Sequence, residues 1–329
     1  MAHGRLMRRR TLLGGLALAP LAVPAVAQPA WPTRNLLMIV PFPPGGQGDL
    51  AARPIAAAFE RILGQPCIVE NRGGAGGAVG NAAVARAEPD GYTLLMTLSS
   101  LAVLPEADRL FGRKPAYDVG QLDPIGRVLA DPTLLAVPAS APWRSVDDFV
   151  RDAKQKPDTI PYGSSGPYGT LHVSMEMFAK AADIRLVHVP YRGAGPALNA
   201  LLGGQIQALA SAPGVLRPHV EAGTVRVLAN WGGARVPSFP DVATFRELGY
   251  PDVEFYIWAG LFAPKGLPQP VRARLAEALR TAMAEPEVLK TFETAGSPPA
   301  YQDPDAFAQF VAADSARLIE ATRRIGKVE

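Results

Sequence analysis

A single cysteine, Cys67, occurs in the 329 residues, so neither an intrachain disulfide framework nor a cysteine-ligated zinc or iron–sulfur centre can be built. Histidine is almost as scarce, and His172, His188 and His219 are spaced too widely to form a metal-ligand motif. No segment reaches the ~18 uninterrupted apolar residues that a spanning helix requires. Excess charge of either sign is missing too. Lys+Arg number 33 against 30 Asp+Glu, and Arg5, Arg8, Arg9 and Arg10 all lie in the first 27 residues, which hold no acid. The remainder therefore balances at 29 against 30, a net charge of −1, which leaves no positive surface for nonspecific nucleic-acid binding. Internal repeats, coiled-coil heptads and low-complexity tracts are likewise absent. What remains is 48% hydrophobic residues over a length sufficient for about two domains, with 32 Gly and 33 Pro marking many turns.

The N-terminal cations belong to an export signal. Residues 5–10 form its positive region, Thr11 to Pro24 its apolar stretch of 14 residues, and Ala25-Val26-Ala27 its cleavage site, giving a mature chain from Gln28. The apolar stretch falls short of the ~20 residues that cross a bilayer. Arg9-Arg10-Thr11-Leu12-Leu13 fits a twin-arginine pattern, although ordinary secretory signals also carry short basic segments. The expected destination is a bacterial periplasm.

The mature chain alternates strand and helix. Leu36–Val40, Cys67–Val69 and Tyr92–Thr97 read as buried strands, with helices over Asp49–Leu63 and Gly76–Ala87 between them. A second series follows: strands at Thr133–Val137, Ile160–Tyr162, Leu186–Val189, Gln205–Leu209 and Val225–Ala229, with helices near Ser145–Lys154, Thr170–Ala181 and Pro196–Leu202. Tyr256–Phe262 is a further strand, and two amphipathic helices near Pro268–Ala284 and Asp305–Ile325 close the chain. This rhythm predicts an α/β protein of two units built on parallel sheets. Ligands of open α/β sheets sit beyond the carboxyl ends of the strands, where helix N-termini point, so the loops after the strands are the candidate sites.

Three such loops stand out. In Pro41-Phe42-Pro43-Pro44-Gly45-Gly46-Gln47-Gly48-Asp49, glycines admit close approach of a ligand and the following helix offers free N–H groups to an anion. Asp49 is placed either to cap that helix or to bind a ligand or its water. Gly163-Ser164-Ser165-Gly166-Pro167-Tyr168-Gly169-Thr170, followed by His172, combines hydroxyls with another helix start. Pro167 stands where a nucleophile elbow needs glycine after Gly163-x-Ser165-x, so this loop is not a nucleophile elbow. In Tyr191-Arg192-Gly193-Ala194-Gly195-Pro196, Arg192 can pair with a carboxylate or with a surface acid. Cys67, in a predicted buried strand, reads as a small hydrophobe, and Asn71-Arg72-Gly73-Gly74-Ala75-Gly76-Gly77 as a structural turn into a helix. Gly46-x-Gly48-x-x-Ala51 matches a dinucleotide fingerprint, with Glu70 where a ribose ligand would stand, but Phe42-Pro43-Pro44 separate it from its strand.

Six ordered motifs together resemble one family. Ile39-Val40-Pro41-Phe42 with Gly45-Gly46, Asp49 and Ala52-Arg53; Val69-Glu70-Asn71-Arg72 with Gly74-Ala75-Gly76-Gly77; and Pro89-Asp90-Gly91-Tyr92-Thr93 open the series. Tyr162 with Ser164-Ser165-Gly166 and His172; Val187-His188-Val189-Pro190-Tyr191-Arg192-Gly193 with Leu201-Leu202-Gly203-Gly204-Gln205; and Glu247-Leu248-Gly249-Tyr250-Pro251 with Gly260-Leu261-Phe262-Ala263-Pro264 complete it. The chain is similar over about residues 33–325 to receptors of the tripartite tricarboxylate transporter family, the Bug receptors. The resemblance implies a periplasmic solute-binding protein of the type II, Venus flytrap kind, with two α/β lobes joined by two crossing strands. Lobe one would be 32–132 plus 254–329 and lobe two 133–253.

It further implies a small carboxylate as ligand, no reaction and no cofactor, a monomer, and membrane permease subunits as partners. The contacts it implies are Phe42, Pro44, Gly45, Gly46 and Asp49 in the first loop, and Ser99 after the third strand. From the second unit come Ser164, Ser165, Tyr168, Gly169, Thr170 and His172, then Arg192, Gly193 and Ala194, and Ser211. Departures from the family pattern are Pro44 for a frequent Ala, Gly48 for Thr or Ser, Gly73 for Pro, Tyr168 for Gly, and Gln207 and Ser211 for Asp. A phenol at Tyr168 would fill part of the cleft or stack on an aromatic acid. Two alternatives remain open: an exported nicotinamide-dependent oxidoreductase, and a sensor subunit with the same cleft.

Overall fold

The computed structural model describes residues 1–3 and 31–328. The export segment and its cleavage site thus lie outside the described residues. Among the described residues, no helix is long and apolar enough to cross a membrane.

The first lobe begins with β1 (Leu36–Val40), α1 (Gln47–Leu63), β2 (Cys67–Asn71), α2 (Ala78–Ala85), β3 (Thr93–Leu98), α3 (Ser100–Leu110) and β4 (Leu122–Pro132). The second contains β5 (Leu134–Pro138), α4 (Val146–Gln155), β6 (Pro161–Ser164), α5 (Thr170–Ala181), β7 (Val187–Pro190), α6 (Ala194–Leu202), β8 (Ala208–Ser211), α7 (Pro213–Glu221) and β9 (Val225–Asn230). The chain then returns through β10 (Tyr256–Pro264), α8 (Gln269–Ala282), α9 (Pro286–Ala295), β11 (Pro299–Gln302) and α10 (Pro304–Ile325). The sheets run β11-β4-β10-β3-β1-β2 and β7-β6-β8-β5-β9.

Each sheet is mixed rather than wholly parallel. β1 pairs in parallel with β2 and β3, but β10 runs antiparallel between β3 and β4. In the second sheet β6 is parallel to β7 and β8, while β5 is antiparallel to β8 and β9. β11 also runs antiparallel to β4, at the edge of the first sheet. β4 hands the chain to β5 at Thr133, and β10 takes it back. There the main chains of Thr133, Trp231 and Phe255 are joined by Thr133 N–H to Phe255 O, Trp231 N–H to Thr133 O and Phe255 N–H to Trp231 O, at 3.4, 2.8 and 3.0 Å.

Several elements differ from the sequence expectation. β4 escapes a hydropathy reading because Asp123, Gly126, Arg127 and Asp131 break its apolar run, although its buried positions line up with β10. α3 and α7 carry internal prolines, Pro105 and Pro218, and α9 and β11 fall inside what reads as connection. β8 starts later than predicted, with Ala208 opposite Tyr162. Cys67 is not in a buried strand: β2 is the sheet edge, where Ile68 is exposed and Cys67 half-buried. Its thiol is nevertheless pushed up to about 12, chiefly by burial of the sulfur, so it stays protonated.

Gly260 is required where β10 passes under α10. A Cβ there would lie 2.2 Å from Phe307 Cζ, and Phe307 is wedged between Trp258 and Phe262. Trp258 Nε1 donates to Asp314 Oδ2 at 2.7 Å, which fixes the helix in place. Gly260→Ala is therefore expected to cost about 1–3 kcal/mol by overpacking. Equal midpoints for the two proteins in urea unfolding would refute that.

Candidate ligand-binding site

The loops after the strands meet between the lobes. One face of the resulting cavity is Phe42 with Gly46, Gln47 and Gly48 at the start of α1, Leu98 at the end of β3, and Ile257 of β10. The opposite face is Ser165, Thr170 and Leu171, Ala194, and Ser211 with Ala212 and Val215. Four helices, α1, α5, α6 and α7, thus present their N-terminal residues Gly46, Thr170, Ala194 and Ala212 to one space. Their unpaired N–H groups and dipoles favour an anion. Among the described residues, no Lys, Arg, His, Asp or Glu lines this first cavity.

The lobes are drawn close. This cavity encloses about 20 Å³, room for roughly one water molecule. A second, of about 210 Å³, adjoins it at Phe42 and Ser165 and carries the exposed Arg192. The seam between the lobes is made of glycines. A Cβ on Gly193 would lie 2.6 Å from Pro43 Cδ, and one on Gly166 3.1 Å from Gly76 N. Around the seam, the Oγ atoms of Ser99, Ser165 and Ser211, Oγ1 of Thr133 and Oε1 of Gln47 are buried without a hydrogen-bond partner. Folded proteins seldom tolerate this unless something else supplies the bonds.

Of the sequence candidates, Phe42, Gly46, Ser165, Thr170, Ala194 and Ser211 line the first cavity and Arg192 the adjoining one. Ser99 directly follows the lining residue Leu98, and Gly193 lies between Arg192 and Ala194. Asp49 is corrected on two counts: Gly46, not Asp49, is the N-cap of α1, and its carboxylate faces inward. Arg53 Nε and Nη2, Asn71 Nδ2 and the Gly45 N–H donate to it at 2.8, 2.9, 3.1 and 3.2 Å. Burial would raise its pKa, but these donors hold it below the ordinary carboxylate range. Asp49 therefore braces the first loop, and with it Gly45. Pro44 turns only its carbonyl toward lobe two, 3.3 Å from where a Gly195 Cβ would be.

Tyr168 lines neither of these two cavities. Its φ of +55° is left-handed, and its buried ring packs edge-on against His172. The hydroxyl donates to Gly326 O at 2.7 Å and accepts from the Val328 N–H at 2.9 Å, with the ring against Phe111. The chain beyond α10 is thereby strapped to the loop that opens α5. The stacking role on an aromatic ligand falls away, and Tyr168→Phe is expected to cost about 1–3 kcal/mol, mostly from the unpaired Val328 N–H. Unchanged protease sensitivity of the tail in that variant would contradict the strap.

Ser164, Gly169 and His172 likewise line neither cavity. Gly169 allows the turn to close on Ser165 Oγ, 2.5 Å from where its Cβ would stand. His172 is 1% exposed, and its Nδ1 accepts from the Tyr168 N–H at 2.9 Å. Its ring lies 4.1 Å from that of His188, which bonds Ser164 Oγ through Nε2 at 2.6 Å. Burial and the neighbouring His188 push His172 down to about 3, and burial takes His188 to about 4, so both rings are neutral. The residues missed by sequence reasoning are the apolar wall and Gln47. The first position of α1 was the available signal for Gln47, since that position faces whatever the helix N-terminus faces.

Comparison with known proteins settles the family. The profile describing the tripartite tricarboxylate transporter family receptor matches residues 51–326. The chain belongs to that receptor family. BugT of Bordetella pertussis is 34% identical over 312 residues, covering 94% of this chain and 95% of BugT. A solved R. palustris protein with adipate is 30% identical at a TM-score of 0.83, covering 90% of this chain and 98% of that one. MatC of Rhodopseudomonas palustris, solved with bound malate, is also 30% identical at a TM-score of 0.83, covering 89% and 100%. The receptor shares its two-lobed fold with these solved proteins. The dinucleotide alternative has no support in this receptor's loops: Gly48 is packed against Phe42 and Val40, and the Glu70 carboxylate is held by Arg72.

Proposed function

We propose that this receptor captures a small carboxylate in the periplasm and delivers it, lobes closed, to the permease subunits of a tripartite transporter. The observation that carries the ligand class is the convergence of four helix N-termini and unpartnered hydroxyls on a space with no fixed charge. Such a site stabilises an anion through N–H and O–H donors alone, as a carboxylate can use. The relatives solved with adipate and malate support the same class. As a member of a receptor family, the protein binds its ligand unchanged in this reading. Lobe one comprises 32–132 plus 254–329 and lobe two 133–253, turning about the main-chain bonds at Thr133, Trp231 and Phe255. The contacts are the residues lining the two cavities, with Arg192 at the rim. The chain works as a monomer, exported by residues 1–27.

A thermal-shift screen of the purified protein against mono-, di- and tricarboxylates tests this. An acid at 100 times its dissociation constant adds about 2.7 kcal/mol, a rise of roughly 5–10 °C. No shift with any acid, alongside one with a nicotinamide cofactor, would overturn it.

A further inference from the structure

Among the described residues that line the first cavity, Gln47 is the one with a polar side chain longer than a hydroxyl. It opens α1 and is 3% exposed. Its Nε2 donates to Asp131 Oδ2. Asp131 is 2% exposed and lies on β4 opposite Ile257, a lining residue, so both project from one face of the sheet toward the cavity. A carboxylate can only accept, so it fixes which end of the amide turns to it. The other end, Oε1, is buried and has no partner. An acceptor thus stands ready in a cavity whose remaining polar groups are hydroxyls and N–H groups.

We propose that Gln47 is a specificity-determining residue of the cleft, oriented by Asp131 so that its carbonyl oxygen selects acids carrying a hydrogen-bond donor, such as a hydroxyl, beside the carboxylate. This rests on the reading of the cleft as a carboxylate site and names the substrate class within it. A ligand without the donor leaves Oε1 buried and unpaired, whereas one with it completes the amide's bonding. Asp131 is a positioning residue: it touches Gln47 and reaches the ligand through it.

The test is calorimetric titration of the full-length protein at about pH 8, where Asp131 is ionised, with matched acids differing by one hydroxyl: malate and succinate, lactate and propionate, mandelate and phenylacetate. The native protein should bind the hydroxylated member of a pair roughly tenfold more tightly. Gln47→Met keeps the length of the side chain and removes the acceptor. It should bring the two affinities of each pair together, the ratio between them being the readout. Asp131→Asn offers the amide a donor as well as an acceptor, so the preference should shrink without vanishing, a change in ratio that general loosening of the fold would not produce. A native protein indifferent to the hydroxyl, or a Gln47→Met variant that keeps the preference, overturns the inference and leaves the carboxylate reading intact. Failure of every acid to bind overturns both.

Discussion

Gly193→Ala is expected to abolish tight closure of the lobes and weaken acid binding by roughly 10- to 100-fold. The φ of Gly193 is +141°, and the added Cβ would stand 2.6 and 2.9 Å from Cδ and Cγ of Pro43. A proline ring on a braced loop cannot swing aside as the end of a flexible side chain can. Asp49 holds that loop through Gly45 and Asn71, and Asn71 Nδ2 also donates to Phe42 O at 2.9 Å. Overpacking of this kind costs about 1–3 kcal/mol, and every 1.4 kcal/mol is tenfold in affinity. The strain of the unusual φ is present with the lobes open or closed, so it lowers the melting temperature without bearing on affinity. Pro43→Ala in the Gly193→Ala background removes the colliding atoms and should restore most of the binding. An affinity unchanged in the single variant, or not recovered in the double, would show that the seam at Gly193 does not limit closure.

The second large effect is a pH dependence with two opposed parts. An unfolded histidine takes up its proton near pH 6.5, whereas His172 and His188 do so at about 3 and 4 in the folded protein. Between these values the unfolded chain binds more protons. The contribution of the neutral rings is therefore complete above about pH 6.5 and is lost as pH falls toward 4. Asp131 acts the other way. Burial pushes its carboxyl from 3.8 up to about 7, against the opposing pull of Ser297 and Gln47, so here the folded protein binds the extra proton and gains stability as pH falls from 7. Glu176, raised by burial beside the Tyr162 hydroxyl, adds in the same sense.

The native protein should therefore show a flatter stability profile than either part alone. His172→Asn, which keeps an acceptor for the Tyr168 N–H, should lose about 2–3 kcal/mol less than the native protein between pH 6.5 and 4.5. Asp131→Asn should shift by a similar amount in the opposite sense, gaining on the native protein as pH rises. Parallel curves of unfolding free energy against pH for all three would sink the argument.

The sequence disclosed strands and helices wherever hydropathy had one clear period. Leu36–Val40 and the helix after it are legible because an unbroken apolar run stops at Pro41 and a 3.6-residue pattern follows. β4 is hidden because its polar residues serve the interior: Asp131 is buried with Gln47, and Arg127 Nε reaches Ala300 O at 2.8 Å. The positions of the binding loops are equally legible, since a glycine-rich turn after a strand must expose a helix N-terminus. Side-chain direction within those loops is not. Asp49 is three residues into α1 and turns back to Arg53, Tyr168 adopts a left-handed φ and lines neither cavity, and His172 points down to His188. Each outcome depends on a partner at least four residues away, which spacing alone does not encode.

The lack of any charged side chain in the first cavity bears on how a ligand arrives rather than on how tightly it stays. Helix dipoles act only within the first turn, and the body carries almost no net charge, so a diffusing anion feels little pull beyond that of the exposed Arg192 at the rim until it has entered the cleft. Encounter rates should then be nearly independent of ionic strength. Differences between rival acids would appear as differences in how long each is retained, so the receptor sorts its ligands by dwell time.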